Sequence, residues 1–304
     1  MPLFDLQGHR GARGLKPENT LSAFEVSLDI GVSTIETDVH LTNDGFPVLV
    51  HDALLNARIF GAVAASAISS LTLAQLRILR ANRNPDPERF PKQDAAITKL
   101  AQVYADEHDI HPYAVPTVAD LFAFATMYAG EVGKQAGKSD SQRARARRVR
   151  FDLELKRVPF YPAVIGDEFD GDSPALLERR VLELVRQADM VERTLVRSFD
   201  HRCVRALRQL EPGLTASVLM AETAPVSPVQ LAAQADAQIY CPDYRFLDQP
   251  LLRRTQADGV RVIPWTVNDP KDWLRLIDWG VDGITTDYPD GLAALLCQKG
   301  IPIL

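Results

Sequence analysis

Cysteine is scarce and scattered. The 304-residue chain has three, Cys203, Cys241 and Cys297, none in a CxxC or other metal-type spacing. That excludes a disulfide framework; three buried thiols are expected, and the odd count favours a reducing compartment. No apolar run approaches the roughly 18 residues that a membrane span needs. The start of the chain lacks the charged segment and the apolar stretch of roughly 7–15 residues that mark a signal peptide. Met1–Leu6 reads instead as a lead-in to a strand. The sequence as it stands is expected to be cytoplasmic, and exported if its N-terminus has been processed or trimmed. An excess of positive charge is also missing. There are 34 basic and 40 acidic residues, a net charge of −6, the reverse of a general nucleic-acid binder. With 46% hydrophobic and 24% charged residues the composition is that of an ordinary globular chain, not a disordered, collagen-like or coiled-coil one.

What is present is a rhythm of short β-rich segments and amphipathic helices. Leu3–His9 reads as a strand and Asn19–Ile30 as a helix, with Leu21, Phe24 and Leu28 at helical spacing and Gly31 as a stop. Ser33–Leu41 reads as a strand, with Val48–Val50 pairing beside it after the turn at Gly45. From Arg150 the alternation is cleaner. Strands are predicted at Arg150–Leu155, Thr194–Arg197, Leu214–Leu219, Ala237–Tyr240, Val260–Val267 and Gly283–Thr285. Helices are predicted at Pro174–Ala188, His201–Leu210, Ser227–Ala235, Asp248–Asp258, Pro270–Trp279 and Gly291–Gln298. Eight main strands, centred near residues 6, 36, 152, 196, 217, 239, 263 and 284, fit an α/β fold of the (β/α)8 TIM-barrel type. The competing arrangement is a doubly wound open sheet. Residues 1–304 read as a single catalytic domain.

Residues 53–115 break the rhythm and read as an insertion after the second strand, either lidding the active-site face or pairing subunits into a homo-oligomer. It contains an Ala-rich piece, a helix-like piece at Thr72–Arg80 and a turn-rich piece at Asn82–Lys92. A helix is predicted from Pro116-Thr117 to about Tyr128. The segment 130–149 reads as a flexible, solvated connection, and seven Lys/Arg fall between Lys134 and Arg150. The sharper alternative there is contact with an anionic membrane or polyanion.

Polar residues fall at the strand ends. Gly8-His9-Arg10-Gly11 places a proton carrier and a phosphate-binding cation between glycines that let the backbone turn. Glu36, Asp38 and His40 alternate in a strand, so all three share one face about 6.6 Å apart. Adjacent carboxylates repel unless a cation lies between them, and hard oxygen ligands suit Mg2+ or Ca2+. The bland alternative is an exposed edge strand. His51-Asp52 follows Val48–Val50. Asp152, Glu154 and Lys156 repeat the alternation, with Glu154 a third carboxylate, Lys156 a phosphate or charge partner, and Asp152 a structural hydrogen-bonder. Trp265 ends the seventh strand and either packs on substrate or sits in the core. Asp287 ends the eighth and either orients Arg10 or another polar group, or caps a helix, a role open to Asp290 as well. In a barrel these ends share the face where active sites assemble. Two histidines, three carboxylates and Arg/Lys suit metal-assisted phosphoryl chemistry.

His9-Arg10-Gly11, Pro17-Glu18-Asn19-Thr20, Glu36-Thr37-Asp38-Val39, Thr42-Asn43-Asp44-Gly45, His51-Asp52, Glu154-Leu155-Lys156 and Thr286-Asp287-Tyr288-Pro289 follow one another in this order. In this the chain resembles the glycerophosphodiester phosphodiesterase family over residues 8 to about 290; Asn43 and the insertion depart from its pattern. The resemblance implies a TIM barrel, a divalent cation (Mg2+ or Ca2+) and hydrolysis of small-molecule glycerophosphodiesters to sn-glycerol 3-phosphate and an alcohol. Carried over by position, it implies that His9 and His51 are the acid–base pair and that Glu36, Asp38 and Glu154 hold the metal. Arg10 and Lys156 then contact phosphate, and Glu18 and Asn19 shape the site. The nucleophile is either water or the substrate's glycerol 2-hydroxyl, which would pass through a cyclic phosphate. Rival readings are a lysophospholipase D-type phosphodiesterase on the same site, a non-catalytic barrel used for binding, and a zinc hydrolase built on His108 and His111. An exposed apolar patch on the insertion would favour the first of these.

Overall fold

The computed structural model describes residues 3–304; Met1 and Pro2 of the expected lead-in lie outside the described residues. Eight parallel strands form one sheet: β1 (Asp5–Gly8), β2 (Thr34–Leu41), β4 (Arg150–Leu155), β5 (Thr194–Ser198), β6 (Thr215–Met220), β7 (Ile239–Pro242), β8 (Arg261–Val262) and β9 (Gly283–Thr286). Their order is β8-β7-β6-β5-β4-β2-β1-β9, and β3 (Pro47–Leu49) adds antiparallel to β2 through Val39 and Leu49. The sheet curls until its ends meet. Thr285 donates to the Pro264 carbonyl at 3.1 Å, and Val267 donates to the Thr285 carbonyl at 3.0 Å. With helices between the strands this is a (β/α)8 TIM barrel. The predicted strand Val260–Val267 is cut to two residues because Pro264 has no N–H to give the ladder.

The helices start where their caps dictate. Thr20 accepts from Ala23 N–H ahead of Leu21–Ile30, and Asp200 accepts from Arg202 N–H ahead of His201–Leu210. Leu21, Phe24 and Leu28 bury against Ile35, Val39 and the outer faces of the strands. The barrel interior is divided. Leu195, Leu219, Ile239, Cys241 and Ile263 make a small apolar cluster inside β5–β8. The interior of β1, β2, β4 and β9 is polar: Asp5, Gln7, Glu36, Asp38, Asp152 and Thr285 are all buried.

Three expectations need correction. Cys297 is exposed, not buried, whereas Cys203 and Cys241 are buried as expected. The basic segment 130–149 is not a flexible linker. It forms helices Glu131–Gln135 and Asp140–Ala146, and Lys138 pairs with Glu25 at 2.6 Å and Asp29 at 2.8 Å. Residues 53–115 include a helix, Lys99–Glu107, that local spacing did not reveal. Its first amides donate to the Glu25 carboxylate on helix Leu21–Ile30, at 3.3 Å from Leu100 and 2.9 Å from Ala101. Among the described residues no helix is long and apolar enough to cross a membrane.

Candidate active site

Parallel pairing of β2 with β4 sets Glu36 beside Asp152 and Asp38 beside Glu154. Both strands present these residues on one face, as the alternation required. Glu36, Asp38 and Glu154 therefore converge, with one carboxylate oxygen from each within 4.8 Å of the others. All three are buried, and among the described residues Asp38 Oδ1 has only the Lys156 ammonium near it, at 3.3 Å, and accepts no other hydrogen bond. Three buried carboxylates converging in this way, one with an oxygen that only a lysine approaches, fit a hard divalent cation.

Cations surround the cluster. Lys156 Nζ lies 2.7 Å from Glu154 Oε1 and 3.3 Å from Asp38 Oδ1. Arg10 Nε lies 3.2 Å from Asp38 Oδ2, while its Nη1 donates to Glu18 Oε1 at 2.7 Å. Asn19 donates to Asp38 Oδ2 at 2.9 Å and accepts from Thr37 Oγ1 at 2.8 Å. Burial alone would raise the Asp38 carboxyl, but Arg10, Lys156, His51 and the Asn19 hydrogen bond hold it well below the usual carboxylate range. Burial disfavours the Lys156 ammonium, yet Glu154 and Asp38 outweigh it and raise its pKa.

Arg10 and Asn19 both lie in the left-handed region, at φ 50° and 54°. The turn is held by the Arg10 N–H donating to Glu36 Oε2 at 2.9 Å and the Asn19 N–H donating to the Arg10 carbonyl at 3.1 Å. Gly8 makes it possible, since a Cβ there would stand 2.5 Å from the Gly11 carbonyl oxygen.

Each histidine is backed by a carboxylate. His9 Nδ1 lies 2.6 Å from Asp287 Oδ1, and His51 Nδ1 lies 2.7 Å from Asp52 Oδ1. A carboxylate accepts, so both rings carry the proton on Nδ1 and expose Nε2 as the exchangeable position. His9 Nε2 is 3.9 Å from Glu36 Oε2. Burial would raise Asp287, but His9, Arg13 and Asn268 outweigh it and keep it ionised. The hydrogen bond from His51 is the main cause that brings Asp52 down to about 2.

The remaining expected residues divide. Glu18 lies inside the network, bridging Arg10 and Arg13. Trp265 packs on the apolar half of the barrel, where its Nε1 donates to the Cys241 carbonyl at 2.8 Å and its ring is edge-on to Phe199. Asp152 is the hydrogen-bonded structural group expected, with Arg197 Nη1 at 3.2 Å. Burial pushes its carboxyl up to about 7, with Arg197 opposing and Glu36, Asp5 and Glu154 adding. His108 and His111 do not join: His108 Nδ1 pairs with the Tyr104 carbonyl and His111 Nδ1 accepts from Tyr113 N–H.

Three residues were missed. Arg13 pairs with Glu18 Oε2 at 2.8 Å. Asn268 donates to Asp287 Oδ2 at 2.7 Å and accepts the Asp287 N–H at 2.9 Å. Arg197 pairs with Glu36 Oε1 at 2.7 Å. The only signal for Arg197 is a lone charge inside an apolar strand. A groove of about 580 Å3 is lined by His51 and Lys156, with Leu54, Leu55 and Val63 after β3 and Val158 and Val164 after β4 as its apolar walls.

The family model described as the Glycerophosphoryl diester phosphodiesterase family matches residues 9–291. A glycerophosphodiester phosphodiesterase of Caldanaerobacter subterraneus subsp. tengcongensis is 26% identical over 96% of this chain and 97% of its own. A crystal structure from Silicibacter pomeroyi DSS-3 superimposes with a TM-score of 0.79 at 28% identity, covering 99% of this chain and 95% of that one. A phosphodiesterase of Oleispira antarctica, solved with the product sn-glycerol-3-phosphate, gives a TM-score of 0.72 at 20% identity over 97% of each chain. The chain belongs to the glycerophosphoryl diester phosphodiesterase family, and it is a phosphodiesterase acting on glycerophosphodiesters.

Proposed function

We propose that this enzyme hydrolyses glycerophosphodiesters to sn-glycerol 3-phosphate and an alcohol with a divalent cation, Mg2+ or Ca2+, and a pair of histidines. The observation that carries this reading is that His9 and His51, each backed by a carboxylate at Nδ1, flank one cluster of three carboxylates. Glu36, Asp38 and Glu154 would hold the cation, which when bound neutralises phosphate charge and lowers the pKa of a coordinated hydroxyl. Arg10 and Lys156 bind the phosphate oxygens and balance their charge. One histidine takes the proton of the nucleophile at Nε2, and the other gives a proton to the departing alcohol oxygen. Asp287 and Asp52 hold the rings in the productive tautomer and stabilise whichever becomes charged. Glu18 and Asn19 keep Arg10 and Asp38 in place.

The test is release of glycerol 3-phosphate from glycerophosphocholine and glycerophosphoethanolamine, with and without EDTA. The expected result is cation-dependent release that falls about 10²–10⁴-fold in His9→Ala and His51→Ala. Near-wild-type turnover in either variant would refute the histidine assignment. A non-catalytic barrel would lack a ligand or histidine, and the chain has the full set.

A second reading, a lysophospholipase D-type activity, is supported by the apolar groove beside His51. Leu54 and Val158 on its walls are exposed, as are Phe160 and Tyr161 just beyond. The lining by residues 53–57, 63 and 65 also supports a role of the insertion in walling the site. Faster turnover of a lysophospholipid than of glycerophosphocholine, lost when Val63 is replaced by Asp, is the expected sign. Equal loss of both activities would remove this reading.

A further inference from the structure

The three clustered carboxylates differ from a loose acidic patch in one respect: protein donors lie against at least one oxygen of each. Glu36 Oε1 faces Arg197 Nη2 at 2.7 Å. Asp38 Oδ2 accepts from Asn19 Nδ2 at 2.9 Å and lies 3.2 Å from Arg10 Nε. Glu154 Oε1 accepts from Lys156 Nζ at 2.7 Å. The other oxygens are more lightly held: Glu36 Oε2 accepts the neutral Arg10 N–H at 2.9 Å, Asp38 Oδ1 has only the mobile Lys156 Nζ at 3.3 Å, and Glu154 Oε2 completes the set.

These restraints are not equally firm. Lys156 has four single bonds to turn about and stands at the mouth of the groove. Arg197 is 2% exposed inside the barrel, and its second contact is Asp152 Oδ2 on the neighbouring strand at 3.2 Å. For Glu36 to offer both oxygens to a cation, the buried Arg197 guanidinium would give up its 2.7 Å contact and keep only Asp152, a costly outcome for a buried charge.

Cation choice follows from ligand number. Ca2+ fills six to eight oxygen positions and often takes both oxygens of a carboxylate, whereas Mg2+ holds a strict octahedron, accepts single oxygens and keeps several waters. We propose that Arg197 is a positioning residue that limits Glu36 to one-oxygen ligation and, with Asn19 doing the same to Asp38, tunes the centre toward Mg2+ and against Ca2+. This rests on reading Glu36, Asp38 and Glu154 as the cation site.

Isothermal titration of the intact, EDTA-stripped chain with MgCl2 and with CaCl2 tests it without reference to activity. The wild type is expected to bind Mg2+ at least as tightly as Ca2+. Loss of a partner that orients a metal ligand commonly costs about 10–100-fold in affinity. Arg197→Gln and Asn19→Gly should each weaken Mg2+ binding by that order and Ca2+ binding far less, moving the affinity ratio at least about tenfold toward Ca2+. Gly suits the φ of 54° at position 19, so Asn19→Gly provides the answer if Arg197→Gln does not fold. Wild-type preference for Ca2+, or equal weakening of both cations in a folded variant, overturns the proposal and leaves the cation site intact. Absence of binding by either cation removes the cation site itself.

Discussion

His9 Nδ1 and Asp287 Oδ1 stand 2.6 Å apart, joining residues near the two ends of the chain. The contact exists because β1 and β9 are neighbours in the closed barrel, with Gly8 in register with Thr286. Asp287 is fully buried, and Asn268 occupies its other oxygen and its N–H. The carboxylate is thus fixed before any substrate arrives.

Asp287→Asn is expected to leave the fold intact and favour the wrong tautomer of His9. Loss of the equivalent relationship in a buried Asp–His pair lowers kcat by up to about 10⁴-fold. We expect a fall in kcat of at least about 10²-fold with a small change in KM, read from steady-state release of glycerol 3-phosphate. A kcat near that of the wild type would show that Asp287 is not needed to orient His9.

Stability should fall on the acid side because burial disfavours the charged form of two histidines, the buried His40 and the half-buried His201. Burial is the largest cause for both, lowering His40 from 6.5 to about 4 and holding His201 below its ordinary value, despite backbone hydrogen bonds that favour the charged form. The unfolded chain then binds more protons than the folded one between the two values, so stability rises with pH through that window. It is fully present above about 6.5 and declines toward 4, by up to about 3 kcal/mol for His40 alone. His201 donates from Nε2 to the Leu219 carbonyl at 2.8 Å, a bond glutamine can replace. Thermal unfolding of His201→Gln between pH 7.5 and 5 should show a shallower decline than the wild type; parallel curves would count against a depressed pKa at His201.

Gly8→Ala should damage stability and activity together. Its Cβ would meet the Gly11 carbonyl oxygen at 2.5 Å and Ser27 Oγ at 2.9 Å, and the backbone contact cannot be relieved by a rotamer change. Overpacking of this kind costs about 1–3 kcal/mol. Because His9 and Arg10 follow immediately, a shift here moves the residues proposed to carry the proton and to bind phosphate. A lowered denaturation midpoint with reduced kcat is expected. An unchanged midpoint would show that the turn has room to spare.

Period-two alternation in Thr34–Leu41 and Arg150–Leu155 was enough to place three carboxylates on one barrel face, because a strand offers its side chains only two directions. Helices with their own caps, such as His201–Leu210 behind Asp200, were equally legible. Tertiary structure decided what depended on a distant partner. Helix Lys99–Glu107 starts on the carboxylate of Glu25, and helices Glu131–Gln135 and Asp140–Ala146 flank Lys138, held by Glu25 and Asp29, so each looks unsupported in a local window. Arg197 and Asn268 gain their meaning only from barrel closure and strand register, which set a guanidinium against Glu36 and an amide against Asp287. The sequence alone determined which residue types face the barrel mouth; which oxygen of each carboxylate is left for a ligand was decided by packing, since only a closed interior can hold a charged side chain away from water and fixed to one partner.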